Sequence, residues 1–158
     1  RQEMDLTLPS SPKEAESYFN QRYQLPDGQL RVYGREEWFA PVASGSNPAD
    51  AMVICPCTMG TLAAIAAGLN QKLIERAADV MLKENRPLIL VPREMPFSTI
   101  HLENMLKLAR SGVTIMPANP GFYQHPKTIE DMVDFVVARI LDHLKISHSL
   151  IPRWGEKN

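Results

Sequence analysis

The sequence predicts a three-layer α/β domain, a parallel sheet covered by helices on both faces. Apolar runs, the mark of strands buried on both sides, occur at residues 51–55 and 88–91, and a third strand is expected at 113–116. Helical periodicity rather than a tight hairpin turn separates each run from the next, which calls for parallel strands joined by crossovers. The 158 residues suit one domain, 1–158, with a single core, and no internal repeat, low-complexity tract or linker divides them. Right-handed crossovers in such a sheet place ligands beyond the carboxyl ends of its strands.

The elements follow in order. Ser10-Ser11-Pro12 supplies a cap and a first-turn proline for a helix running to about Tyr23, and Leu25-Pro26-Asp27-Gly28 ends it. A short strand is expected at 30–33, then a loop over 35–49 in which Ala43-Ser44-Gly45-Ser46-Asn47-Pro48 carries turn-forming residues. After the strand at 51–55, a helix over 58–67 breaks at Gly68 and a second runs from about 71 to 84. The run at 88–91 precedes a helix over 98–110, a strand at 113–116 and a connection holding Pro117, Pro120 and Gly121. The last helix, about 128–144, has Ile129, Met132, Val133, Val136, Val137, Ile140, Leu141 and Leu144 at helical spacing, so one face packs inward.

Composition narrows the function classes. Seventeen basic against eighteen acidic residues give a net charge of −1, so bulk electrostatics recruits neither nucleic acid nor an anionic membrane, and anions must be held by placed residues. The longest apolar runs, AMVIC and LAAIAAG, fall short of a membrane span. The first residues lack a charged-then-apolar signal pattern, and Cys55-Pro56-Cys57 makes a poor disulfide framework, which together favour the cytoplasm. No His pair or second Cys pair completes a zinc set, so no metal is expected, and the four histidines share no motif spacing.

Several residues combine chemistry with position. Thr58, Met59, Gly60 and Thr61 join a strand to a helix N-terminus, where free N–H groups and two hydroxyls can receive a phosphate or a polar ring edge; alternatively Thr58 only caps the helix. Arg93 and Glu94 directly follow LILVP at a strand end. There an arginine fork suits phosphate and Glu94 can orient it or move a proton, unless the two form a structural pair. Lys83 closes a helix, where a cation also serves the helix dipole. Tyr123 follows Gly121 in a loop that permits close backbone approach, and either reaches a ligand or packs over a strand end. Arg139 falls roughly 20° outside the apolar stripe of the last helix, so its head reaches a cleft or snorkels from a buried stem. Trp38 and Trp154 lie outside regular elements, and their π faces suit a cation or an oligomer contact.

The order of ERAADV, LKE-x-RPL, PREMP, HLENM and PGFY, within a match from Gln2-Glu3-Met4-Asp5 to Pro152-Arg153-Trp154-Gly155, resembles the flavin prenyltransferase family of the UbiX type. The resemblance implies a flavodoxin-like or Rossmann-like sheet and a metal-independent transferase. Reduced FMN would take a dimethylallyl group from dimethylallyl phosphate at N5, with ring closure at C6. Homododecamers with sites at subunit interfaces would be expected, the prenylated FMN passing to a separate decarboxylase, as in ubiquinone biosynthesis. Carried over by motif, Thr58 to Thr61 and Arg93 contact FMN, while Lys83, Arg93, Tyr123 and Arg139 hold the prenyl phosphate. Glu3 handles a proton, and Trp38 and Ser44 line the prenyl pocket. Family members open with a strand, a Gly-Ala-Ser-Gly type turn, a helix and a second strand. None of these precedes Arg1, so the chain is expected to be incomplete, its sheet lacking the first βαβ unit.

Two other functions compete. A flavin-dependent cysteine decarboxylase of related fold would carry a PASANT-like turn and an Asn-containing PxMNxxMW segment; CPCTMGT stands in place of the first and the second is missing. A non-catalytic flavin carrier subunit would release the flavin it received unchanged.

Overall fold

At the centre of the sheet lies β2 (Leu88–Pro92), buried at all five residues. It pairs in parallel with β1 (Met52–Cys57) on one side and β3 (Thr114–Ile115) on the other, in the order β1-β2-β3. The computed structural model describes residues 8–152; Glu3 and Trp154 lie outside them.

Side chains alternate across a strand, and β2 divides the core accordingly. Leu88 and Leu90 pack with Ile54, Leu62, Ala78, Met81 and Leu108, so α2 (Met59–Ala66), α3 (Leu73–Lys83) and α4 (Thr99–Arg110) cover one face. Ile89 and Val91 pack with Ile140, Val136 and Leu144, which lays α5 (Ile129–His143) over the other. Each Leu, Ile or Val buried this way contributes about 1.5–3 kcal/mol of transfer free energy, so the three layers stand as expected from the alternating runs.

Caps set the helix ends. In α1 (Pro12–Tyr23) Ser11 accepts the Glu14 N–H and Pro12 opens the first turn, as read from Ser10-Ser11-Pro12. Glu75, 2% exposed, accepts the N–H groups of Gln71 and Lys72 at the start of α3. Ser98 and His101 cap α4 reciprocally, and Thr128 and Asp131 do so for α5.

Three expectations need correction. Residues 30–33 form no strand: the Val32 N–H donates to Glu16 Oε2 at 2.9 Å, so α1 takes the donor that a ladder would have used. The strand expected at 51–55 runs on through Cys57 with a register irregularity after Ile54, while that at 113–116 shortens to two residues. The last helix does not bury its whole apolar set. Ile129, Val133 and Val137 stay exposed beside the inward row of Val136, Ile140 and Leu144, because a three-stranded face covers only a narrow stripe of one helix.

Candidate functional site

The carboxyl edge of the sheet collects the first group of candidates. Cys57 of β1 is in register with Pro92 of β2, so Thr58 and Arg93, the next residues of each strand, leave the sheet side by side. Thr58 Oγ1 accepts the Thr61 N–H at 3.1 Å and donates to Thr61 Oγ1 at the same distance, so the threonine does cap α2. Capping leaves the first-turn N–H groups of Met59 and Gly60 without intrahelical partners at the positive end of the helix. Around Gly60 the space is open, the nearest atom to a Cβ there being Thr58 Oγ1 at 3.9 Å. Thr58 and Thr61 also line a large open cavity of about 1120 Å³, walled by Leu30, Tyr33, Val42 and Ala51. Amide donors, hydroxyl-bearing side chains and an apolar wall in one place fit the phosphate or polar ring edge and the flat ring of a flavin. Glu94 turns back on its own loop, Oε1 accepting the Met95 N–H at 3.3 Å.

A second group lies along α3. The 3-10 turn Pro41–Ala43 packs on this helix, and Arg76 Nε donates to the Ala43 carbonyl at 2.9 Å while its NH1 reaches Asp79 Oδ2 at 2.9 Å. Ser44 follows directly, exposed, its hydroxyl 2.8 Å from that of Ser46. Lys83 pairs with Glu84, and both side-chain tips fill the place that a Cβ on Gly45 would take. Lys83 and Ser44 are thus neighbours across Gly45. Trp38, on the same stretch of chain, is 44% exposed.

The third group lies beside β3. Gly121 lets the Tyr123 ring fold back: a Cβ there would stand 2.6 Å from Tyr123 Cε1 and 3.1 Å from Phe135 Cζ. Tyr123 meets Phe135 edge to face at 5.7 Å, which places the phenol over α5, one turn from Arg139. Tyr123 and Arg139 share a cavity of about 390 Å³ with Gln124, Asp142, His148, Ile151 and Pro152. Arg139 NH1 donates to Asp142 Oδ2 at 2.8 Å. His148 Nε2 lies 3.1 Å from the other oxygen, and this bond, before the charge of Arg139, holds the Asp142 carboxyl below its ordinary range.

Within one chain, then, the carboxyl edge joins Thr58–Thr61 with Arg93, α3 joins Lys83 with Ser44, and α5 joins Arg139 with Tyr123; the three groups are separate. Arg76, Asp142 and His148 escaped the reading of the sequence. For the first two a signal existed, since Arg76–Asp79 and Arg139–Asp142 are both spaced i,i+3 on helices. Cys57 is buried, its thiol pushed up to about 11 by desolvation. Among the described residues no group of three or more His, Cys, Asp or Glu is placed to hold a metal ion, and no helix is long and apolar enough to cross a membrane.

Fold and donors are those of the flavoprotein class, and the family model described as Flavoprotein matches residues 6–141. Similarity narrows the class further. The chain is 56% identical over 156 residues to the flavin prenyltransferase UbiX of Pseudomonas aeruginosa, spanning 99% of this chain and 75% of that one. It is 56% identical over 131 residues to the enzyme of that name from Halalkalibacterium halodurans, covering 83% of this chain and 64% of the relative. The chain belongs to the UbiX-type flavin prenyltransferase family. Among solved structures it resembles AnUbiX (PadA1) in complex with FMN and dimethylallyl pyrophosphate, with a TM-score of 0.79 and 42% identity over 92% of this chain and 80% of that one. It also resembles a dodecameric FMN-dependent UbiX-like decarboxylase from Escherichia coli O157:H7, with a TM-score of 0.78 and 44% identity over 91% and 80% of the two chains.

Proposed function

We propose that this chain forms one flavoprotein domain of a cytoplasmic flavin prenyltransferase. The enzyme moves a dimethylallyl group from dimethylallyl phosphate to reduced FMN and passes the product to a separate decarboxylase. Family membership supports the chemistry, and the observation of this structure that carries it is a cavity bordered by both Tyr123 and Arg139, a phenol and a guanidinium suited to the oxygens of a phosphate ester.

Bound reduced FMN supplies the nucleophile, first N5 and then C6. The residues of the chain do the rest. Met59 and Gly60 amides, with Thr58, Thr61 and Arg93, hold and orient the cofactor at the carboxyl edge. Lys83, Arg93, Tyr123 and Arg139 bind the prenyl phosphate, and their donors stabilise the charge that gathers on it as the allylic C–O bond breaks. Trp38 turns its π face to the positive allyl fragment, and Ser44 lines the same pocket. Glu3 protonates the departing phosphate or relays a proton in ring closure, and Glu94 orients Arg93 or assists that transfer.

The site closes between copies of the chain in a homo-oligomer, a dodecamer on the pattern of the Escherichia coli neighbour. Exposed Met95, Ile100, Leu106, Phe122, Ile129 and Val133 supply apolar surface for such contacts.

The test is anaerobic incubation of the intact protein with reduced FMN and dimethylallyl phosphate, followed by mass spectrometry of the released flavin. A gain of one five-carbon unit per flavin, over many turnovers, is expected. Flavin of unchanged mass rejects the transferase and leaves a carrier.

A further inference from the structure

One carboxylate joins two parts of the third group of residues. Asp142 Oδ2 takes the hydrogen bond of Arg139 NH1 at 2.8 Å, and Oδ1 stands 3.1 Å from His148 Nε2. The other ring nitrogen, Nδ1, accepts the Leu150 N–H at 3.3 Å. A neutral imidazole has one donor and one acceptor nitrogen, so this acceptance fixes the proton on Nε2 and makes His148 the donor to Asp142. Only 12% of the His148 side chain is exposed. The chain reaches this place because α5 stops at Leu144, Lys145 takes a left-handed φ of 59°, and the Ile146 N–H returns to the Leu141 carbonyl. That turn carries residues 148–152 back over the cavity that Arg139 shares with Tyr123.

A lone arginine 48% exposed on a helix samples many rotamers. Here its guanidinium is tied at one nitrogen by a carboxylate that is itself tied to a shielded ring. That tie limits where the remaining donors of the fork can go, and Arg139 stays in the lining of the cavity it shares with Tyr123, one of two cavities it borders.

We propose that Asp142 and His148 are positioning residues that hold the Arg139 guanidinium in the orientation needed to grip the phosphate of the prenyl donor. The inference rests on the transferase reading of the same site. Removing the His148 bond frees Asp142 to turn and lets Arg139 follow, which weakens phosphate binding while leaving the cofactor edge at Thr58 and Arg93 untouched.

Binding measured without turnover tests it. Calorimetry with the intact protein loaded with oxidised FMN, titrated with dimethylallyl phosphate, is expected to show His148→Ala binding about tenfold more weakly, the scale of a hydrogen bond to a charged group. FMN affinity and melting temperature should stay close to those of the parent. His148→Gln should recover most of the loss, because its amide N–H can donate to Asp142 while its oxygen accepts the Leu150 N–H. In an Arg139→Ala background, His148→Ala should add nothing further, since a residue acting through Arg139 has nothing left to position. Equal binding by parent and His148→Ala, or a loss that simply adds to that of Arg139→Ala, overturns the positioning role and leaves the transferase standing. A parent protein that binds FMN but no dimethylallyl phosphate overturns both.

Discussion

Lys83 and Arg139 belong to helices on opposite faces of the sheet: α3 packs through Ala78 and Met81 against Leu88 and Leu90, and α5 packs through Ile140 against Ile89 and Val91. The buried strand β2 stands between them, so no side-chain rotation within one chain brings the two cations to one phosphate. If both serve one donor, each site takes Lys83 from one copy and Arg139 from another.

Mixing two inactive proteins checks this. Lys83→Ala and Arg139→Ala variants should each lose transfer while still binding FMN. Dissociated together and reassembled, they should regain activity, up to about a quarter of the parent value for random assembly of sites shared by two copies. Two variants that stay inactive after mixing would show that the residues act in separate sites or not at all.

Gly45 marks a second dependence. Its φ lies outside the left-handed region, so the glycine serves the approach of Lys83 and Glu84, whose tips occupy the place of its missing Cβ. Both tips end flexible side chains, so Gly45→Ala should leave the melting transition nearly unchanged, within about 0.5 kcal/mol as for surface substitutions. The Lys83 ammonium should move away from Ser44, raising KM for the prenyl phosphate several-fold. An unchanged KM would remove Lys83 from the proposed site.

What could be read from the sequence was local or periodic. The run LILV announced a strand buried on both sides because nothing polar interrupts it, and the apolar residues from Ile129 to Leu144 announced α5 because their helical spacing is visible in the sequence itself. Distant partners were invisible. Residues 30–33 have the composition of a strand, yet Glu16, sixteen residues before Val32, captures its N–H. The cavity beside Tyr123 depends on a left-handed turn at Lys145, which brings His148 onto Asp142; no motif spacing encodes it. The separation of the cations into groups was likewise hidden, since sequence order says which residues leave a strand end but not which face each helix takes.

The acid side of the stability profile should carry the signature of Asp131. Its carboxylate accepts the Lys127 N–H at 2.8 Å and the Thr128 N–H at 3.0 Å, and these bonds, the Lys127 one foremost, lower its pKa. A carboxyl with a lower pKa folded than unfolded stabilises above the unfolded value, and that contribution fades as pH falls through the folded one. Melting temperature should therefore drop as pH is taken below about 4, near the ordinary aspartate range. Asp131→Asn should melt lower at neutral pH and show a shallower acid decline. A parallel decline in both proteins would assign the acid sensitivity to other groups.

On the alkaline side the sign reverses for Cys57. Burial raises its thiol from 9.0 to about 11, and the side chain is 1% exposed against the sheet. A folded state that holds the proton more tightly than the unfolded chain gains stability below the unfolded pKa. It loses that gain as pH climbs from about 9 toward 11, because the thiolate is tolerated only when the chain opens. The native protein at pH 8 should therefore leave Cys57 unalkylated by iodoacetamide, and peptide mapping should find it modified only after denaturant is added. Cys57→Ala should flatten the loss of melting temperature above pH 9, at the cost of a small cavity beside Leu90. Rapid labelling of Cys57 in the folded protein would mean that the edge of β1 opens on its own, and with it the Thr58–Thr61 turn that the cofactor is proposed to occupy.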